Sequence, residues 1–255
     1  MTTDNDSKLR RLFKVLQQGN VVTIPLLESL GISDNLRKYY IESGWLEPIG
    51  RGAYQKPGDK VGWQGALCAI NKQVGINVHV GGLSALEQHG YSHYFRLSKQ
   101  SLYLFSPQRS TLPKWFTDYN WGIELFHKPT SIFADYTGVK KLEITGIDIA
   151  ISSPERAIME CLHLAPQNTD LVECFQVFEG LVNLKPRLVN ELLLKCTSIK
   201  VKRLFLYMTE KANHQWFQFI KTDKVNLGSG KRMITAKGVY NAKYLISIPK
   251  ELAEL

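Results

Sequence analysis

TIPLLESLGISDNLRKYYIESGWLEPIGRGAY, residues 23–54, decides how the chain begins to fold. Thr23 precedes Ile24-Pro25, a helix start, because a proline in the first turn costs no intrahelical hydrogen bond. Leu26, Leu27 and Leu30 give this short helix an apolar face, and Gly31 ends it. Ser33 caps the next helix, so only Gly31-Ile32-Ser33 separates the two. Such a short turn with a glycine lets two helices cross steeply, as a helix-turn-helix requires. The second of them stops at Gly44; Trp45-Leu46 and Ala53-Tyr54 then flank Glu-Pro-Ile-Gly-Arg-Gly, a two-stranded hairpin or wing. Upstream, Asp6 or Ser7 caps a helix whose Leu9, Leu12, Phe13 and Leu16 follow the i, i+3, i+4, i+7 pattern, with Gly19 as its stop. Residues 1–60 are therefore predicted to be a winged helix-turn-helix that binds DNA.

On the helix from Ser33 to Ser43, Leu36 and Tyr40 are expected inward, with Asn35, Arg37, Lys38 and Tyr39 nearer solvent. Asparagine can read adenine, arginine guanine, and lysine holds phosphate; Ser33 at the helix start can bond a phosphate oxygen. Arg51, between two glycines at the wing tip, reaches toward the backbone or minor groove. The competing reading is a winged helix for protein contact, with Arg37 and Lys38 as an ordinary solvated face.

Gln55-Lys56-Pro57-Gly58-Asp59-Lys60 reads as a polar linker, because proline and glycine interrupt regular structure. Residues 61–255 are predicted to be a larger mixed α+β domain, with a sheet-rich part 61–152 and a helical-plus-hairpin part 153–255. Strands are expected at 78–80, 102–106, 123–127, 142–151, 224–227, 232–235 and 244–248. Helices are expected at 83–89, 154–164, 170–180, 186–196 and 199–212.

The chain has 255 residues, 44% hydrophobic and 22% charged, enough to bury a core and too ordinary for disorder. Thirty-two basic against 23 acidic residues give a net charge of +9. By segment the balance is +2 over 1–60, −2 over 61–180 and +9 over 181–255, which points to an acidic partner. On the helix from Ile199, Val201, Leu204, Phe205 and Met208 share the expected buried arc. Lys200, Arg203, Tyr207 and Lys211 form a neighbouring stripe that Lys231 and Arg232 extend. This stripe is a candidate basic interaction face, weighed against a solvated charged surface. The absence of any apolar run near ~18 residues argues against a membrane span, and four widely spaced cysteines suit a reduced, cytoplasmic setting.

The remaining residues offer only incomplete catalytic patterns. Gly81-Gly82-Leu83-Ser84 has glycines for a nucleotidyltransferase loop, but no Asp-x-Asp follows. Gly228-Ser229-Gly230-Lys231-Arg232 lacks the first glycine and the hydroxyl of a P-loop and reads as a turn between strands. No Glu-x-Lys occurs, as a common nuclease motif needs, and Asp6-Ser7-Lys8 in the N-terminal segment is the one place where an aspartate stands two residues before a lysine. His89 and His93 read as structural, and Cys161, His163 and Cys174 as core rather than metal ligands. Ser153, Glu155 and Arg156 read as helix-start chemistry. No catalytic residue, metal or cofactor is expected.

RGAYQKPG (51–58), HVGGLSALEQHGYSHYF (79–95), SSPERAIMECL (152–162), KVKRLFLYMTEKANHQWF (200–217) and NLGSGKRMI (226–234), in this order after a winged helix, together resemble the AbiEi family of bacterial antitoxins. The resemblance implies an antitoxin of a type IV toxin–antitoxin system, often tied to abortive infection by phage. Its partners would be promoter DNA with inverted repeats, bound by the winged helix to repress the shared operon, and a nucleotidyltransferase-like toxin countered by the C-terminal part. Carried over, Ser33–Ser43 and Arg51 would read DNA and residues from about 63 onward would hold antitoxicity, so the two tasks would separate near residue 60. Two rivals are a stand-alone regulator with a ligand-binding body and a cryptic nuclease.

Overall fold

The computed structural model describes residues 2–91 and 101–255. Leucines at helical spacing build the first core: α1 (Thr2–Val15) contributes Leu12, which packs with Leu16, Val22, Leu27, Ile32, Tyr40, Leu46 and Tyr54. Each such leucine, fully buried, stabilises by roughly 1.5–3 kcal/mol. After α1 come β1 (Val22–Thr23), α2 (Ile24–Ser29), α3 (Asp34–Glu42), β2 (Glu47–Gly50) and β3 (Ala53–Gln55). The strands form an antiparallel sheet in the order β1-β3-β2. Gly31, at φ +77°, makes the left-handed turn between α2 and α3.

The segment 55–60, expected as a linker, is instead tied into this layer. Gln55 is buried and its Nε2 donates to Asp59 O at 3.1 Å; Asp59 Oδ2 accepts from Gly19 N at 2.7 Å. Then α4 (Trp63–Ala69), continued by a wider turn Ile70–Val74, packs against it so closely that a Cβ at Gly65 would lie 1.8 Å from Gly19 O. The Gln73 amide finishes the job: its Oε1 accepts from Thr23 N (2.8 Å) and Thr23 Oγ1 (2.9 Å), and its Nε2 donates to Val21 O (2.7 Å). The first compact unit accordingly comprises Met1–Val78 with Arg109–Leu125 and Lys141–Ile149, and the first break falls at Val78 rather than near residue 60.

The second unit comprises His79–Gln108, Phe126–Lys140 and Ala150–Leu255. Along the chain follow β4 (His79–Val80), α5 (Gly82–Leu86), β5 (Ser101–Pro107), α6 (Lys114–Thr117), β6 (Glu124–Thr130), β7 (Val139–Ile144) and β8 (Ile147–Ser152). The sheet order is β6-β5-β4-β8-β7. Its short centre β4 runs antiparallel to β5, with His79 opposite Phe105, and parallel to β8, with Val80 opposite Ile151. Helices α7 (Pro154–Leu164), α8 (Leu171–Glu179), α9 (Pro186–Lys195) and α10 (Ile199–Lys211) come next. They precede a small sheet of β9 (Arg232–Met233), β10 (Val239–Asn241) and β11 (Ile246–Ile248), and a last helix α11 (Lys250–Glu254). The strand expected at 224–227 is a 3₁₀ turn (Thr222–Lys224) and irregular chain.

Candidate nucleic-acid interface

Helix α3 starts where exposed Ser33 Oγ accepts from Leu36 N at 3.4 Å, which caps the helix and leaves the hydroxyl proton to donate elsewhere. Asn35, Lys38, Tyr39 and, at the hairpin tip, Arg51 are exposed, as the sequence anticipated. Arg37 is not: its side chain is only 12% exposed, Nη1 lies 2.8 Å from Asp34 Oδ1, and its guanidinium sits 6.0 Å over the Tyr54 ring. It braces α3 against the hairpin instead of pointing at a groove. An open groove of about 400 Å³ beside the α3 N-terminus is lined by Lys8, Ser33, Asn35, Leu36 and Tyr39. Lys8 was missed in the sequence, because periodicity alone does not show which α1 residue meets α3. The exposed set thus offers one amide, two aliphatic or guanidinium cations and an aromatic ring on contiguous elements, the chemistry that phosphate and base edges require.

The basic stripe of α10 is not a surface. Val201 through Thr209 are all buried, and the helix is core on every side. Arg203, 1% exposed, donates to Leu227 O (2.8 Å), Gly228 O (3.2 Å), Gly230 O (2.8 Å) and Leu245 O (3.1 Å). Leu227 O, at the end of the strand expected over 224–227, is thus taken by the guanidinium rather than by a neighbouring strand. Lys200 Nζ caps the end of α7 through His163 O (2.8 Å) and Ala165 O (2.5 Å). Tyr207 is buried, and Lys211 reaches Ala253 O at 3.3 Å and lies over the Phe175 ring. Only Lys231 and Arg232 of the six are exposed, and Lys231 sits 4.9 Å over the Tyr240 ring.

A buried ionic knot, not anticipated, lies at the start of α7. Glu160 is 1% exposed; its Oε1 meets His79 Nε2 (2.9 Å) and Arg156 Nε (2.8 Å), and its Oε2 accepts from Gly82 N (3.1 Å) and Ser152 Oγ (2.8 Å). Burial alone would raise this carboxyl, but His79 and Arg156 outweigh it and hold the pKa at about 2. Gly81 has to be glycine because a Cβ there would lie 2.2 Å from Glu160 Oε2, which explains the Gly-Gly pair without a phosphate loop. The Arg156–Glu160 spacing of four was the available signal. Ser153 does not cap α7 with its side chain, and Glu155 is buried, accepting from Lys185 N at 2.9 Å. His89 Nε2 lies 2.9 Å from Ser152 O, and burial lowers its pKa; His93 falls outside the described residues. Cys161 and Cys174 are fully buried, and burial pushes both thiols up.

The sequence matches, over residues 5–97, the family described as transcriptional regulator, AbiEi antitoxin N-terminal domain. Over residues 99–249 it matches transcriptional regulator, AbiEi antitoxin, type IV toxin–antitoxin system. The chain belongs to the AbiEi antitoxin family. No functionally curated protein matches it significantly. Among solved structures, the RV2827C protein from Mycobacterium tuberculosis is similar in fold, with a TM-score of 0.59 and 13% identity, over 96% of this chain and 90% of that one. The AbiEi chain is thus a transcriptional regulator and antitoxin by family, and among its described residues no helix is long and apolar enough to cross a membrane.

Proposed function

We propose that this AbiEi antitoxin represses its own operon by binding promoter DNA through a winged helix formed by residues 2–55, and that it counters a nucleotidyltransferase-like toxin encoded beside it. The observation that carries the DNA reading is the exposed set Asn35, Lys38, Tyr39 and Arg51 on α3 and the hairpin tip, next to a groove that Lys8 enters. In this reading α3 lies in the major groove, Asn35 contacts a base edge, Lys38 and Lys8 hold phosphates, and Arg51 reaches the adjacent backbone. Family membership supports the pairing with a toxin. Fluorescence anisotropy of the full chain on its own promoter tests the first part: Asn35→Ala/Lys38→Ala and Arg51→Ala each weaken binding, and undiminished binding by both variants overturns it. Co-expression with the adjacent toxin tests the second, rescued growth being the expected result and continued arrest the contrary one.

A further inference from the structure

The small sheet of the second unit has one covered face and one open face. On β11, Ile246 and Ile248 are fully buried, whereas Ser247 between them turns the other way and is only half-buried. The register places Met233 of β9 and Tyr240 of β10 on either side of Ser247, so the three side chains form one row across the open face. The ends of this row are exposed, Met233 by 76% and Tyr240 by 39%. Lys231 Nζ lies 4.9 Å over the Tyr240 ring, which puts a cation on the same face. The stretch 221–250, which contains all three strands, carries seven lysines and arginines, all exposed, against one acid, Asp223. Of these cations Lys243 is paired with Glu210. Charge and size select the occupant. A second copy of the chain would set like charge against like. The row spans two strand spacings, roughly 10 Å. A strip that short is far below the ~800 Å² per partner of a stable protein interface, but it accommodates one or two nucleobases. A nucleic acid repeats its negative charge at every nucleotide, so its phosphates meet dispersed cations while its bases take the apolar row. In a duplex the base faces are stacked on one another, whereas a single strand has ring faces to give to Tyr240 and Met233. The Ser247 hydroxyl in the middle of the row suits a ribose 2′-OH, which DNA lacks.

We propose that the open face of β9, β10 and β11 binds single-stranded RNA, with a base stacked on Tyr240 and against the Met233 thioether. Lys231 turns from the ring to the adjoining phosphate and so uncovers the ring for the base. The site belongs to the second unit, goes beyond the promoter reading and does not rest on it. The full chain, labelled with [ε-¹³C]methionine, is titrated with oligouridine of about eight nucleotides. Met159 and Met208 are fully buried, so the Met233 methyl, assigned by its loss in Met233→Leu, reports this face. The RNA is expected to move that signal and to leave those of Met159 and Met208 in place. Duplex RNA, or polyglutamate of equal charge, is expected to need about tenfold more for the same change, and oligodeoxyuridine about threefold more. Tyr240→Leu weakens the RNA by about tenfold, whereas Tyr240→Phe, which keeps the ring, stays within about twofold of the parent. Lys231→Ala lowers the salt slope by about 0.7, the share of one phosphate on a single strand. Lys38→Ala, on the winged helix, leaves the Met233 response unchanged, so failure of the promoter reading and failure of this site are told apart. A Met233 signal that does not respond, an equal response to polyglutamate, duplex or oligodeoxyuridine, or a Tyr240→Leu variant that binds like the parent each overturns the proposal.

Discussion

Arg37 Nη1 lies 2.8 Å from Asp34 Oδ1, one turn back on α3, and this pair separates two arginine and lysine neighbours that look alike in sequence. Lys38 is exposed and unencumbered by that pair, so it is the residue expected to hold a phosphate. Losing one phosphate contact lowers the slope of log affinity against log salt by about one. Lys38→Ala is therefore expected to reduce the slope on promoter DNA by that amount, while Arg37→Ala leaves it unchanged and lowers the melting temperature of the first unit instead. Anisotropy titrations at several salt concentrations, with a thermal melt of each variant, distinguish the two; equal slopes for parent and Lys38→Ala would sink the assignment.

Arg203 predicts a folding defect where a surface arginine would predict none. Its four carbonyl acceptors, from Leu227 to Leu245, order the chain that links α10 to the small sheet. Arg203→Met keeps much of the volume but takes the donor from Leu227 O, Gly228 O and Gly230 O, while Leu245 O keeps Arg232 N, at about 1–3 kcal/mol for each carbonyl that water cannot reach. The variant is expected to lose roughly 3 kcal/mol or more in urea unfolding. Reversing charge together at Lys200, Arg203 and Lys211 is expected to leave no folded second unit. Cooperative unfolding by that triple variant at the parent's midpoint would contradict the burial of the stripe.

Acid sensitivity is expected in two steps with the same sign. His163 is half-buried, and burial, then Lys200 and Lys128, lower its pKa from 6.5 to about 4. The unfolded chain takes up its proton first, so stability falls as pH drops from about 6.5 to about 4. Glu160 is depressed from 4.5 to about 2, so its contribution is present above 4.5 and is lost as pH falls through about 2. Melting temperature against pH should therefore decline across both windows. His163→Gln reduces the decline in the upper window, to which His89 and His127, also lowered by burial, still contribute, and leaves the lower window unchanged; a variant curve parallel to the parent's in the upper window would refute the role of this histidine.

Local signals carried much of the fold. The helix expected from Pro154 to Leu164 has those bounds, because proline at its start and a run of apolar residues specify it within one stretch. The helices around Gly31 and the hairpin after Gly44 are legible for the same reason. What stayed hidden depends on distant partners. His79 and Glu160 are 81 residues apart, and no periodicity pairs them. Lys200 and Arg203 have the spacing of a solvated stripe, yet carbonyls from other elements turn them inward, a tertiary choice that residue type does not disclose. On α3, exposure of Asn35, Lys38 and Tyr39 followed from the helical period, whereas the Asp34–Arg37 pair removed one cation from the set.

Gln73 decides where the chain can be cut. Its amide acts as a strand backbone would, accepting from Thr23 N and donating to Val21 O, from a position 50 residues beyond Thr23 in sequence. A chain ending at residue 60 loses this partner, together with the close seat of Gly65 on Gly19 O. Exposing β1 in this way leaves backbone groups without their acceptor and opens one side of the leucine core, so residues 1–60 alone are expected to be less stable than the same residues in the full chain. The matching fragment 63–255 would keep α4 and Gln73 with nothing to bind. Point replacement separates the amide from the cut: Gln73→Leu retains bulk but removes three hydrogen bonds, and a loss of roughly 2–3 kcal/mol is expected. Hydrogen exchange of the Thr23 amide reads the same event locally, because without the Gln73 oxygen it should exchange faster while amides in α7 stay protected. Unchanged protection at Thr23 in Gln73→Leu would show that the side chain is not its acceptor, and would return the boundary to residue 60.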